Sequence, residues 1–169
     1  MNTGKAKGAL RLLELRLQRP VQWVICALHF VELPVRCLFY HLDGKPDGPV
    51  APGGPIGTAI KNLNENLLPY VDYQRISSNM LDVPRELFRG KQDLIVFHDL
   101  VRAVSNGPGA LDPSYLTKKL PKISTVRWTT SFSRTLRVFM QTRNPSPSLI
   151  ILVTYIQKES WSNLPIFHT

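Results

Sequence analysis

RPVQWVICALHFVELPVRCLFY, residues 19–40, is the stretch that sets the fold class. Val21, Val24, Ile25, Leu28, Val31, Val35, Leu38 and Phe39 recur at i, i+3, i+4 and i+7, so they cover one helical face that has to be buried. Pro20 suits a first turn, where its missing N–H is lost in any case. Pro34 instead removes a hydrogen bond in mid-run, and its ring meets the preceding turn. The spacing predicts two helical segments parting at Pro34.

Working outward, residues 1–18 combine Lys5, Lys7, Arg11 and Arg16 with Leu10, Leu13 and Leu17, a basic amphipathic helix expected to pack its leucines on the helix that follows. Glu14 and the lack of serine weigh against a mitochondrial presequence, and there is no apolar run of the kind a secretory signal needs. On the other side, GKPDGPVAPGGPIG, residues 44–57, is a loop. A phosphate cradle needs successive backbone N–H groups and a Gly-Lys-Ser/Thr ending. Pro46, Pro49, Pro52 and Pro55 lack the donors and the ending is missing, which leaves a connector.

Pro55 is expected to start a helix reaching Leu68, with Ile56, Ile60, Leu63 and Leu67 inward, before Pro69 stops it. Residues 70–89 read as irregular. A helix is expected over Gln92–Asn106, burying Leu94, Phe97, Val101 and Val104 and stopped by Gly107-Pro108-Gly109. Two more are expected, from Ser124 to Gln141 and from Ser148 to Trp161, the latter burying Leu149, Leu152, Val153 and Ile156. With no alternation of strands and helices, the fold class is mainly α, with helices joined by Pro/Gly-rich loops. The parts are residues 1–43, the connector 44–57 and the helical region 58–169, within one domain overall.

A length of 169 residues, 43% hydrophobic and 20% charged, suits a globular domain. Against 12 acids stand 21 Lys and Arg, a net charge of +9 that favours anionic partners, DNA among them. Two cysteines make no disulfide framework and point to a reducing, intracellular compartment, the nucleus included. No apolar run is long enough to span a bilayer, and no membrane partner is expected.

Metal chemistry could come only from Cys26, His29, Cys37 and His41. Each pair shares a helical face, but Cys26 and Cys37 would stand roughly 16 Å apart in a straight helix, too far for one zinc. No metal or other cofactor is expected. His98 beside Asp99 has no nucleophile placed against it, and no motif for hydrolysis or metalloproteolysis occurs. The chain therefore reads as a non-enzyme with no catalytic residues.

The most distinctive charge pattern lies between Pro113 and Lys158, which holds eight Lys and Arg and no acid. On the helix expected there, Trp128, Phe132, Leu136 and Phe139 form an apolar stripe. Arg127, Thr130, Arg134, Arg137 and Gln141 form the opposite, outward face. Such a face can hold phosphates while Trp128 stacks on a base, which makes Arg127, Trp128, Arg134 and Arg137 the candidate nucleic-acid-binding residues. The same pattern also fits a solvated helix face with Trp128 in the core.

Two short patterns carry a resemblance. Cys26-Ala27-Leu28-His29 before an apolar helix resembles the Cys-x-x-His segment of hAT-superfamily transposases, and Arg127-Trp128 before Leu136-Arg137 is similar to their Arg-Trp motif. Glu32-Leu33-Pro34, Leu42-Asp43-Gly44 and Gly54-Pro55-Ile56-Gly57 resemble strings in transposon-like proteins of invertebrates. Val126 stands where the family usually has Thr or Ser, and the interval between the two motifs is longer than usual. The resemblance covers about residues 15 to 160. It implies the helical flank of an RNase H-like core plus part of a helical insertion domain. Strand transfer in that family needs converging carboxylates, and Glu14 is the sole acid before Cys26. The resemblance thus implies a catalytically inactive, transposase-derived fragment that retains nucleic-acid binding. The alternative is a basic helical nucleic-acid or protein interaction module unrelated to transposases.

Overall fold

The computed structural model describes residues 9–20, 27–45, 53–70, 72–77, 92–107, 109, 119–120 and 128–162. Among them are six helices and no strand: α1 (Ala9–Leu17), α2 (Ala27–Asp43), α3 (Pro55–Lys61), α4 (Gln92–Asn106), α5 (Trp128–Met140) and α6 (Pro147–Ser162). The mainly α expectation holds at that level. Helix α5 is the hub, packed by α4, α6, α3 and α2, while α2 also lies along α6. Val35 and Phe39 of α2, Ile56 and Ile60 of α3 and the apolar faces of α4 to α6 share one core.

Helix α2 runs unbroken through Pro34, so the expected division into two segments does not occur. Pro34 sits on the exposed side, where water can take the carbonyl that its ring leaves without a donor. Val35 and Phe39 are buried as expected; Val21, Val24 and Ile25 lie outside the described residues. Cys37 and His41 are exposed on α2, and Cys26 and the His29 side chain lie outside the described set. Among the described residues no three His, Cys, Asp or Glu gather as ligands.

The last residue of α2 organises the start of α3. Asp43 is buried, and its two carboxylate oxygens accept the Ile56 and Gly57 N–H groups at 2.6 and 2.7 Å. A distant carboxylate thus caps the α3 N-terminus and meets its positive end. Gly54 is required for this approach, since a Cβ there would lie 1.9 Å from the Asp43 carbonyl oxygen. The two donors at the head of α3 are engaged by the chain itself, which argues further against a phosphate cradle.

Helix α3 stops at Lys61 rather than at the expected Leu68. Asn64 closes a turn instead, accepting the Asn66 N–H on its side-chain oxygen at 3.0 Å and the Leu67 N–H on its carbonyl at 3.2 Å. Ile56 and Ile60 are buried and Leu63 is half-buried, but Leu67, expected inward, is exposed.

Helix α4 has the expected bounds and is buried on nearly every side. Gly107 ends it at φ +94°, donating its N–H to the Ala103 carbonyl at 2.8 Å. Residues 72–77 run along its C-terminal half: the Tyr73 hydroxyl donates to the Ala103 carbonyl and the Ile76 N–H to that of Val104. Where α4 and α5 touch they run in the same direction, Asp93 beside Thr129 and Phe97 against Phe132 with ring centroids 6.0 Å apart. Helix α6 begins at an Ser146 cap, which accepts the Leu149 N–H, and buries Leu149, Leu152, Val153 and Ile156 as expected. Its Gln157 is buried too, bonding the Val101 carbonyl and the Ser105 hydroxyl of α4.

Helix α1 departs from expectation. Of the leucines expected to pack on the helix that follows, Leu13 and Leu17 are 43% and 46% exposed, Leu12 and Leu15 beside them are 55% and 57% exposed, and the Leu10 side chain lies outside the described residues.

Candidate nucleic-acid interface

Every residue from Thr129 to Met140 of α5 is buried, although half of the helix is polar. Local hydrogen bonding makes this possible. Ser133 returns its hydroxyl to the Thr129 carbonyl at 2.9 Å and Thr135 to that of Ser131 at 2.8 Å, so these hydroxyls enter the interior already paired. Phe132, Leu136 and Phe139 form the expected apolar stripe.

The expected outward face of α5 is corrected. Thr130 is buried, Arg134 is 9% exposed and Arg137 is 0% exposed. The loop from Asn64 to Tyr70 binds Arg134 and Arg137. Arg134 Nη2 donates to Glu65 Oε1 at 2.6 Å, and the other Glu65 oxygen accepts the Leu120 N–H at 3.2 Å. Arg137 Nη2 donates to the Glu65 carbonyl at 2.9 Å. One turn further on, Gln141 donates through Nε2 to the Asn64 and Leu67 carbonyls, and the Tyr70 N–H binds the Met140 carbonyl at 2.9 Å. The side chains read as a phosphate-binding face thus hold down a loop of their own chain. Arg127 lies outside the described residues, as does the Trp128 side chain, although Trp128 itself begins α5.

Electrostatically the cluster is two guanidinium groups against one carboxylate. Burial pushes the Arg137 guanidinium below its ordinary pKa, and the Glu65 carboxylate pulls it back up. Among the described residues, Arg137 Nε and Nη1 have no hydrogen-bond partner. The carboxylate is therefore the counter-charge that makes burial of the pair tolerable.

Sequence reasoning missed Glu65, and no local signal marks it. It lies 69 residues from Arg134, in a stretch expected to be helical. His98 and Asp99 are both buried on α4, with His98 Nδ1 3.6 Å from Asp99 Oδ1.

The surface carries a different set of cations. Lys45, Lys61, Arg75, Lys119, Arg143 and Lys158 are all exposed, whereas Asp72 is the one exposed acid among the side chains that the structure describes. Asp43 and Asp99 are buried and Glu65 is committed to Arg134. The family models, the curated proteins and the solved structures compared with the chain give no match.

Proposed function

We propose that the chain is a non-catalytic basic helical module that binds nucleic acid through phosphate contacts. One observation carries this reading: among the side chains that the structure describes, every acid but Asp72 is buried or partly buried, while the exposed charge is almost wholly cationic. Together with the net charge of +9, this described surface attracts a polyanion. The phosphate contacts belong to exposed side chains such as Lys119 and Arg143, not to Arg134 and Arg137.

A transposase-derived origin is the second reading, favoured by the order of the Cys26-His29 and Arg127-Trp128 patterns. In that reading Arg137 keeps a structural duty in the helix after the Arg-Trp pair, and strand-transfer chemistry is lost with its carboxylates.

The test is a salt titration of binding to a labelled DNA duplex. Affinity should be largely independent of sequence and fall with a log–log slope of about −0.9 per phosphate neutralised. Replacing Lys119 and Arg143 together with Ala should flatten that slope by up to about two units and leave the melting curve in place. No binding at low salt sinks the reading; a slope unmoved by the double variant removes these two side chains from it.

A further inference from the structure

The feature that neither the core nor the proposed nucleic-acid surface accounts for is α1. Five of its nine residues are leucine, and Leu12, Leu13, Leu15 and Leu17 stand 43–57% exposed. Exposed leucines grouped on one short helix mark a surface that something covers.

Charge selects what covers it. Arg11 and Arg19 are exposed beside the leucines, Arg16 stands within their arc, from where its long side chain can reach a headgroup, and Lys5 and Lys7 precede them in sequence. The one acid, Glu14, is held by Arg11 at 3.2 Å. Nucleic acid would satisfy the arginines and leave the leucines in water. A second copy of the helix would cover the leucines and bring like charges together. An anionic lipid surface answers both demands, with acyl chains for Leu and headgroup phosphates or carboxylates for Arg and Lys. At about 1.5 Å per residue the helix is roughly 14 Å long, under half of a bilayer core, so it can lie in the interface and cannot cross it.

We infer that α1 is an interfacial helix that docks the chain on anionic lipid. This differs from the expectation of no membrane partner, of which the structure bears out that no described helix is long and apolar enough to cross a membrane.

The experiment is vesicle flotation of the full chain with phosphatidylcholine vesicles, with and without phosphatidylserine, for the parent and for the Leu13→Ser/Leu17→Ser and Leu12→Ser/Leu15→Ser variants. The parent should float with the anionic vesicles only, less so at high salt. The leucine variants should lose about tenfold or more of that partitioning while melting like the parent and keeping their DNA affinity. Retained DNA affinity separates this result from the fate of the nucleic-acid reading. Several results overturn the inference. One is no flotation of the parent; another is flotation unchanged in the leucine variants, which would make it charge alone. A lowered melting point in those variants would show that the chain itself covers α1. Leucine-dependent dimerisation in solution, or leucine-dependent capture of an acidic protein without flotation, would name a different occupant.

Discussion

Helices α1 and α5 are inverted with respect to each other. The first is more than half leucine and keeps its leucines in solvent; the second is half polar and is buried from Thr129 to Met140. Composition does not explain this, and neighbours do. Helix α5 has other helices around its apolar stripe and, over its polar side, the Asn64–Tyr70 loop with a carboxylate for its arginines. Among the described residues nothing comparable covers Leu12, Leu13, Leu15 and Leu17 of α1. A polar face can be interior when each donor meets an acceptor there, and an apolar face stays outside when nothing lies against it.

The comparison breaks most sharply at Glu65. Glu65→Ala should cost about 3–5 kcal/mol of unfolding free energy, since it leaves Arg134 and Arg137 buried without their counter-charge. Arg137→Met should be far milder, because it removes a guanidinium that is only partly paired. Urea unfolding of the two variants decides the point, and a Glu65→Ala cost below that of Arg137→Met would show that the loop, not the charge, seals α5.

Next in size is Gly54→Ala, which asks whether the same ordering of interior polar groups extends to α2 and α3. A Cβ at 1.9 Å from the Asp43 carbonyl oxygen must displace the cap, at a cost of about 1–3 kcal/mol visible as a lowered melting point. A melting point unchanged within error would show the connector free to rearrange.

The smallest effect is one of pH. Burial raises the Tyr73 phenol to about 12 from 10.0, against a smaller lowering by Arg75. Above pH 10 the unfolded chain ionises this phenol while the folded chain holds it protonated. Its contribution to stability is therefore complete below pH 10 and is lost progressively between about 10 and 12. Tyr73→Phe should flatten the fall of the melting point across that window; an identical slope in parent and variant would place the sensitivity elsewhere.

Helices α4 and α6 were legible in the sequence because their signals are local. An apolar period runs the length of each and Gly107 closes one, while the other opens at Pro147, one residue before the expected Ser148. The apolar stripe of α5 was legible for the same reason. Its polar face was not: the period places Arg134 and Arg137 opposite the stripe, and their burial depends on Glu65, which no spacing rule connects to them. The end of α3 was misread because Ile56, Ile60, Leu63 and Leu67 keep a helical period past the point where Asn64 turns the chain. Proline at 34 was given too much weight, since an exposed position lets solvent absorb what the ring removes.

The like direction of α4 and α5 bears on how the chain reaches this state. Partners in that pair lie 36 residues apart in sequence, and after leaving the end of α4 the chain has to travel back roughly 22 Å, the length of that helix, before α5 can begin alongside it. The central pairing is thus non-local, with the loop-closure entropy of an excursion of that length set against it. By contrast, the Asp43 clasp on α3 spans 13 and 14 residues and can form before it. Loop-closure entropy thus rises from the Asp43 clasp through the α4–α5 pair to the Glu65–Arg134 closure, which spans 69 residues.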